Sequence, residues 1–173
     1  MVCSAYKRYS DSCDVYLWNP TTKEYVKLPE ESLGKSSHNG VRGIAFGFGY
    51  NPGANEYKVV RLVHYYSYER NYKQPQCRVY TSRTKLWKAI PPKELSNDVL
   101  QPGKFPIQVN GALHWIKRHV GTSITTFNLE KEEFHEIHIP LNDEFGYVFE
   151  LGALEGCLSA IYSPRQIVNI WVG

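Results

Sequence analysis

Three stretches decide the fold: VYLWNPTTKEYVKLP (Val15–Pro29), VYTSRTKLWKAIP (Val79–Pro91) and TTFNLEKEEFHEIHIP (Thr125–Pro140). Each is an aromatic strand, a polar turn and a second aromatic strand that ends at proline. In each, one aromatic precedes another by seven residues: Trp18 and Tyr25, Tyr80 and Trp87, Phe127 and Phe134. A fourth copy begins at Val168-Asn169-Ile170-Trp171-Val172 as the sequence runs out. A recurring strand–turn–strand unit predicts stacked or radially arranged β-modules.

Between these hairpins lie others of a second kind. GIAFGFGY (Gly43–Tyr50) alternates small and large residues, as expected of a buried strand approached closely by another backbone. It leads through Asn51-Pro52-Gly53-Ala54-Asn55 into the strand YKVVRLVHYY (Tyr57–Tyr66). Asn110-Gly111 sits between Phe105–Val109 and Ala112–Ile116, a strong two-residue hairpin signal. Tyr147–Leu151 and Leu158–Tyr162 flank a turn at Ala153–Gly156, and Ile167–Val172 is the last predicted strand. No amphipathic helix is evident. The expectation is therefore all-β: antiparallel hairpin repeats with a period near ~50 residues, forming an incomplete, kelch-like β-propeller array. Trp18, Trp87, Trp115 and Trp171 are expected at equivalent strand positions, packed in the core or between blades.

Bulk composition narrows the function classes. The chain has 173 residues, 42% hydrophobic and 21% charged, with a net charge of +3. That balance fits a globular domain and does not favour nucleic acid. No apolar stretch is long enough to span a bilayer, and no signal peptide is visible, so no membrane partner is expected. The four cysteines form no CxxC and read as reduced thiols, which places the chain inside the cell, in cytoplasm or nucleus. His135-x-x-His138 has no third ligand at a matching spacing, and residues three apart on a strand point to opposite faces. His114 beside Trp115 reads as a hydrogen-bonded structural histidine. Nothing nominates a catalytic residue, a cofactor or a metal site.

One segment breaks the repeat spacing: His64-Tyr65-Tyr66-Ser67-Tyr68-Glu69-Arg70-Asn71-Tyr72-Lys73. Tyrosine and arginine dominate protein-binding hot spots, so Tyr65, Tyr66, Tyr68, Arg70, Tyr72 and Lys73 are the candidate partner-binding residues. The competing reading is a surface loop whose tyrosines pack on their own hairpin. The connections Glu30–Arg42 and Pro92–Lys104 are the next candidates.

The ordered set YLWNPTTKEYVKLP (Tyr16–Pro29), FGFGYNPGANEYKVVRL (Phe46–Leu62), VYTSRTKLWKAI (Val79–Ile90), VNGALHWI (Val109–Ile116), ITTFNLEKEEFHEI (Ile124–Ile137) and NIWV (Asn169–Val172) resembles the plant F-box-associated domain, found in F-box/kelch-like and S-locus F-box proteins. The resemblance covers nearly the whole chain, so residues 1–173 are expected to form one such domain, cut at both ends. It implies a protein-interaction module that recruits a substrate protein to an SCF-type ubiquitin ligase. In that family the ligase adaptor is bound through an F-box, and no F-box motif occurs in this sequence. The alternative is a propeller-type enzyme or carbohydrate-binding domain with a loop-lined pocket; convergence of polar side chains on one mouth would discriminate the two.

Overall fold

The computed structural model describes residues 3–9, 12–31, 41–65, 75–91, 95, 105–117, 123–139, 148–162 and 169–173. They form fourteen strands and no helix. In chain order these are β1 (Cys3–Tyr9), β2 (Ser12–Asn19), β3 (Glu24–Lys27), β4 (Val41–Asn51), β5 (Glu56–Tyr65), β6 (Gln76–Thr81), β7 (Leu86–Ile90), β8 (Ile107–Val109), β9 (Ala112–Ile116), β10 (Ser123–Asn128), β11 (Glu133–His138), β12 (Val148–Leu154), β13 (Cys157–Tyr162) and β14 (Asn169–Val172). They make four separate sheets: β1-β2-β3, β4-β5-β6-β7, β8-β9-β10-β11 and β12-β13-β14. Every pairing is antiparallel and joins sequence neighbours, so each sheet is a meander.

The seven-residue aromatic spacing has a direct cause. Trp18 faces Tyr25, Tyr80 faces Trp87, and Phe127 faces Phe134 across their hairpins. Four turn residues lie between the paired strands, and the fourth adopts a positive φ: Lys23 at 60°, Lys85 at 58° and Glu132 at 57°. The β4–β5 turn belongs to the same class, with Asn55 at 49°. Asn110-Gly111 and Glu155-Gly156, both with φ positive throughout, make the two-residue turns.

Alternation along the strands then packs sheet on sheet. On β5, Val59, Val63 and Tyr65 join Val15 and Leu28 of the first sheet, whereas Val60 and Leu62 join Leu113, Trp115, Phe127 and Phe134 of the third. On the far side of the third sheet, Val109, Ile116 and Ile124 meet Val148, Leu158 and Ala160 of the fourth. Three apolar seams thus hold four sheets in chain order. Among the described residues no seam joins the first sheet to the fourth.

Two expectations need correction. Strand β1 had no counterpart in the sequence reading; it is recognised by its pairing with β2, from Cys3 opposite Trp18 to Tyr9 opposite Ser12. The four tryptophans are not equivalent either. They lie on β2, β7, β9 and β14, and only Trp115 is fully buried, at 2% exposure. Val15 and Leu17 turn towards the second sheet, so Trp18 faces away from that seam and is 43% exposed. Trp87, half-buried, instead donates its indole N–H to Pro29 O at 2.9 Å and lies 5.4 Å from the Arg61 guanidinium, tying the first sheet to the second.

Candidate functional site

The sequence-nominated segment meets the described residues only at its first member. Tyr65 is 6% exposed; its ring belongs to the first seam and its hydroxyl donates to Gln76 Oε1 at 2.9 Å. Burial holds its pKa above the usual tyrosine value, with Arg61 and Arg78 pulling weakly the other way. Tyr65 is therefore a packing residue rather than an exposed contact surface. Tyr66, Tyr68, Arg70, Tyr72 and Lys73 lie outside the described residues, as do 32–40, 92–94 and 96–104. β5 ends at Tyr65 and β6 begins at Gln76, both at the end of the second sheet opposite the β4–β5 and β6–β7 turns.

The turn ends of the second and third sheets are brought together by two contacts. Gln108 donates its amide to Tyr50 O at 2.6 Å and accepts the Tyr50 N–H at 2.9 Å. Lys58 crosses from β5 to donate to Leu129 O at 2.6 Å. Between these ends runs an open groove of about 690 Å³ lined by Asn51, Glu56, Thr81, Arg83, Leu86, Lys88 and others. A second cavity of about 360 Å³ lies along Lys88–Pro91 and Lys131–His135.

A chain of five charges forms the polar part of the groove. Arg83 Nε lies 3.4 Å from Glu56, Glu56 lies 3.4 Å from Lys58 Nζ, and Lys58 and Lys88 each lie 2.9 Å from opposite oxygens of Glu132. Lys58 and Glu56 have side chains only 4% and 5% exposed, while Arg83 and Lys88 at the two ends are 71% and 69% exposed. Burial pushes the Glu132 carboxyl up, but hydrogen bonds and charge from Lys88 and Lys58 outweigh it and hold the pKa below the usual glutamate value. That carboxylate stays ionised; it is not poised to exchange protons near neutrality.

The remaining reactive side chains are occupied in packing. His114 is 5% exposed; its Nε2 donates to Val109 O at 3.3 Å and its Nδ1 accepts from the Thr126 hydroxyl at 3.0 Å. Burial lowers its pKa, only partly opposed by the Val109 carbonyl, which fits the structural role read from the sequence. The Cys77 thiol is pushed up to about 12, mainly by burial, so it is no nucleophile at neutral pH. Among the described residues no three His, Cys, Asp or Glu side chains cluster as metal ligands. No helix there is long and apolar enough to cross a membrane.

Comparison with known proteins follows the architecture. The whole chain, residues 1–173, matches the F-box associated beta propeller domain. It is 30% identical over 162 residues to the Arabidopsis thaliana F-box/kelch-repeat protein At3g23880, covering 91% of this chain and 43% of that protein. The Arabidopsis thaliana F-box protein At3g07870 is 30% identical over 205 residues, covering 99% of this chain and 45% of its own length. F-box protein CPR1, also from Arabidopsis thaliana, is 26% identical over 188 residues, covering 92% of this chain and 44% of its own length. The chain thus spans less than half the length of these relatives.

Proposed function

The chain belongs to the F-box associated beta propeller domain family, and on that basis we propose that it recruits a protein substrate to an SCF-type ubiquitin ligase. The observation that carries this reading is the match over every residue of the chain, to a family whose relatives here are named as F-box proteins. The fold supports it. The buried apolar side chains of the strands are spent on three seams, which favours the sheet ends for recognition. The ionised state of Glu132 and the elevated thiol pKa of Cys77 support a binding role over an acid–base or nucleophilic one. On this reading adaptor binding belongs to an F-box, partner contact belongs to Tyr66, Tyr68, Arg70, Tyr72 and Lys73, and the protein works inside the cell, without a cofactor.

The test is a fusion of this chain to an F-box. A protein captured by the chain should become ubiquitinated through the fusion. Replacing Tyr68, Arg70 and Tyr72 by Ala should abolish both capture and modification while leaving the melting temperature unchanged. Full capture by the folded triple variant would refute the loop assignment. Stoichiometric binding of the ligase adaptor by the chain alone would refute the division of labour.

A further inference from the structure

The five-charge chain between the second and third sheets is more than an internal brace. It contains three cations, Arg83, Lys58 and Lys88, against two carboxylates, Glu56 and Glu132. Both carboxylates and Lys58 are buried while the two exposed ends are cations, so the network, with one net positive charge, shows solvent mainly its positive ends. Neither end is saturated. Arg83 approaches Glu56 through Nε alone, at 3.4 Å, and its two terminal nitrogens have no partner among the described residues. Lys88 makes one hydrogen bond, to Glu132, and has two further donors. Both cations line the same groove of about 690 Å³, with the Thr81 and Thr84 hydroxyls beside them and the exposed Leu86 supplying apolar surface. The floor is rigid, because Lys58 is held at once by Glu56, Glu132 and Leu129 O.

We propose that this groove binds an acidic segment of the recruited protein, with an Asp or Glu carboxylate taken by the Arg83 guanidinium fork and a second by Lys88. The inference deepens the recruiting function above and rests on it for the identity of the partner, but not for the binding chemistry. A planar guanidinium with its terminal nitrogens free matches a carboxylate in bidentate fashion. Lys88 is already hydrogen-bonded to Glu132 at 2.9 Å, so less conformational entropy is lost when it binds. Beyond the two carboxylates of the network, one further group opposes the ligand. Glu130 is exposed on the same groove, against the β4–β5 turn, and would repel an acidic chain. Lys131 and Glu133 beside it line the adjoining cavity and balance each other.

The chain itself is titrated with a short synthetic peptide of alternating Glu and Gly, with its Gln counterpart as the neutral control. The Glu peptide should bind, with affinity falling as salt rises, and the Gln peptide should not. Arg83→Gln and Lys88→Gln should each weaken binding by about tenfold or more without moving the melting temperature, since both side chains are mostly exposed. Glu130→Gln should tighten it, a change of opposite sign that a general loss of structure would not produce. Unchanged affinity in folded Arg83→Gln and Lys88→Gln overturns the proposal. So does binding of a phosphoserine peptide where the Glu peptide fails, which would make this a phosphate site. Peptide titration reads the groove alone, whereas the F-box fusion reads recruitment, so either can fail without the other.

Discussion

Gly47→Ala is the sharpest test of how the second and third sheets meet. A Cβ on Gly47 would lie 2.4 Å from Trp115 Cζ2, 2.8 Å from Leu113 Cδ1 and 3.1 Å from Pro106 Cγ. Neither of the first two can yield easily: Trp115 is 2% and Leu113 0% exposed, and the Trp115 indole donates to Phe46 O at 3.4 Å. Overpacking a filled core costs about 1–3 kcal/mol, and two immobile neighbours put this case at the upper end. Alanine recovers about 0.5–1 kcal/mol over glycine within a strand, so the net loss should be about 2 kcal/mol. For a chain of this size that lowers the melting temperature by about 4–8 °C. Urea denaturation of four proteins decides the matter: the parent, Gly47→Ala, Trp115→Phe and the double variant. The new methyl should occupy space vacated by the indole, so the double variant should be more stable than additivity allows by at least about 1 kcal/mol. Additivity within about 0.5 kcal/mol, or a Gly47→Ala protein as stable as the parent, would refute close packing of Trp115 on this strand.

Other consequences follow from buried polar groups and from the turns. Thr125 is 1% exposed and its hydroxyl has no partner among the described residues, so Thr125→Val should stabilise by about 1 kcal/mol in the same assay. Lys85 and Glu132 share nearly the same left-handed backbone, yet glycine there should act oppositely. Lys85→Gly should stabilise by about 0.5 kcal/mol through relief of strain, whereas Glu132→Gly should cost about 2–3 kcal/mol because Lys58 loses a buried partner. The lowered pKa of His114 means that its unfolded form, near 6.5, takes up a proton first as pH falls. Its contribution is therefore complete above about pH 6.5 and is lost as pH falls through the lower folded value; denaturation midpoints between pH 7 and 5 should fall less steeply in His114→Gln.

Much of this architecture was legible because it is local. The spacing of Tyr80 and Trp87, or Phe127 and Phe134, encodes a hairpin whose turn length fixes the register. Gly47 and Gly49 alternating with phenylalanine announced a close approach, but what approaches is the Trp115 and Leu129 side chains rather than another backbone. What could not be read is non-local or depends on which face is covered. Trp18 and Trp115 are the same residue type on strands, but only Trp115 has a neighbouring sheet over it. The groove was missed for the first reason. Lys58 within YKVVRLVHYY does signal a buried cation that needs a counter-charge, but its partner Glu132 lies 74 residues away in a run that reads as a solvated hairpin tip.

Glu132 shows why that tip differs from its counterparts. At the fourth turn position Asn55 is a residue that tolerates a positive φ, and Lys85 is solvated with nothing to lose. Glu132 pays the same backbone strain while its side chain is 84% removed from solvent, and glycine would have been the unstrained choice. A residue that is both strained and desolvated persists when its side chain does something the backbone cannot. Here it joins Lys58 and Lys88 through opposite oxygens, fixing the third sheet against the second and leaving Lys88 directed at the groove. The brace and the proposed carboxylate site are therefore one structure, and removing Glu132 should loosen both. Glu132→Gln separates the two effects. It retains hydrogen-bonding capacity but withdraws a negative charge from the groove, so acidic-peptide affinity should rise even as stability falls. A fall in both would mean that positioning of Lys88, rather than the net charge of the groove, controls binding.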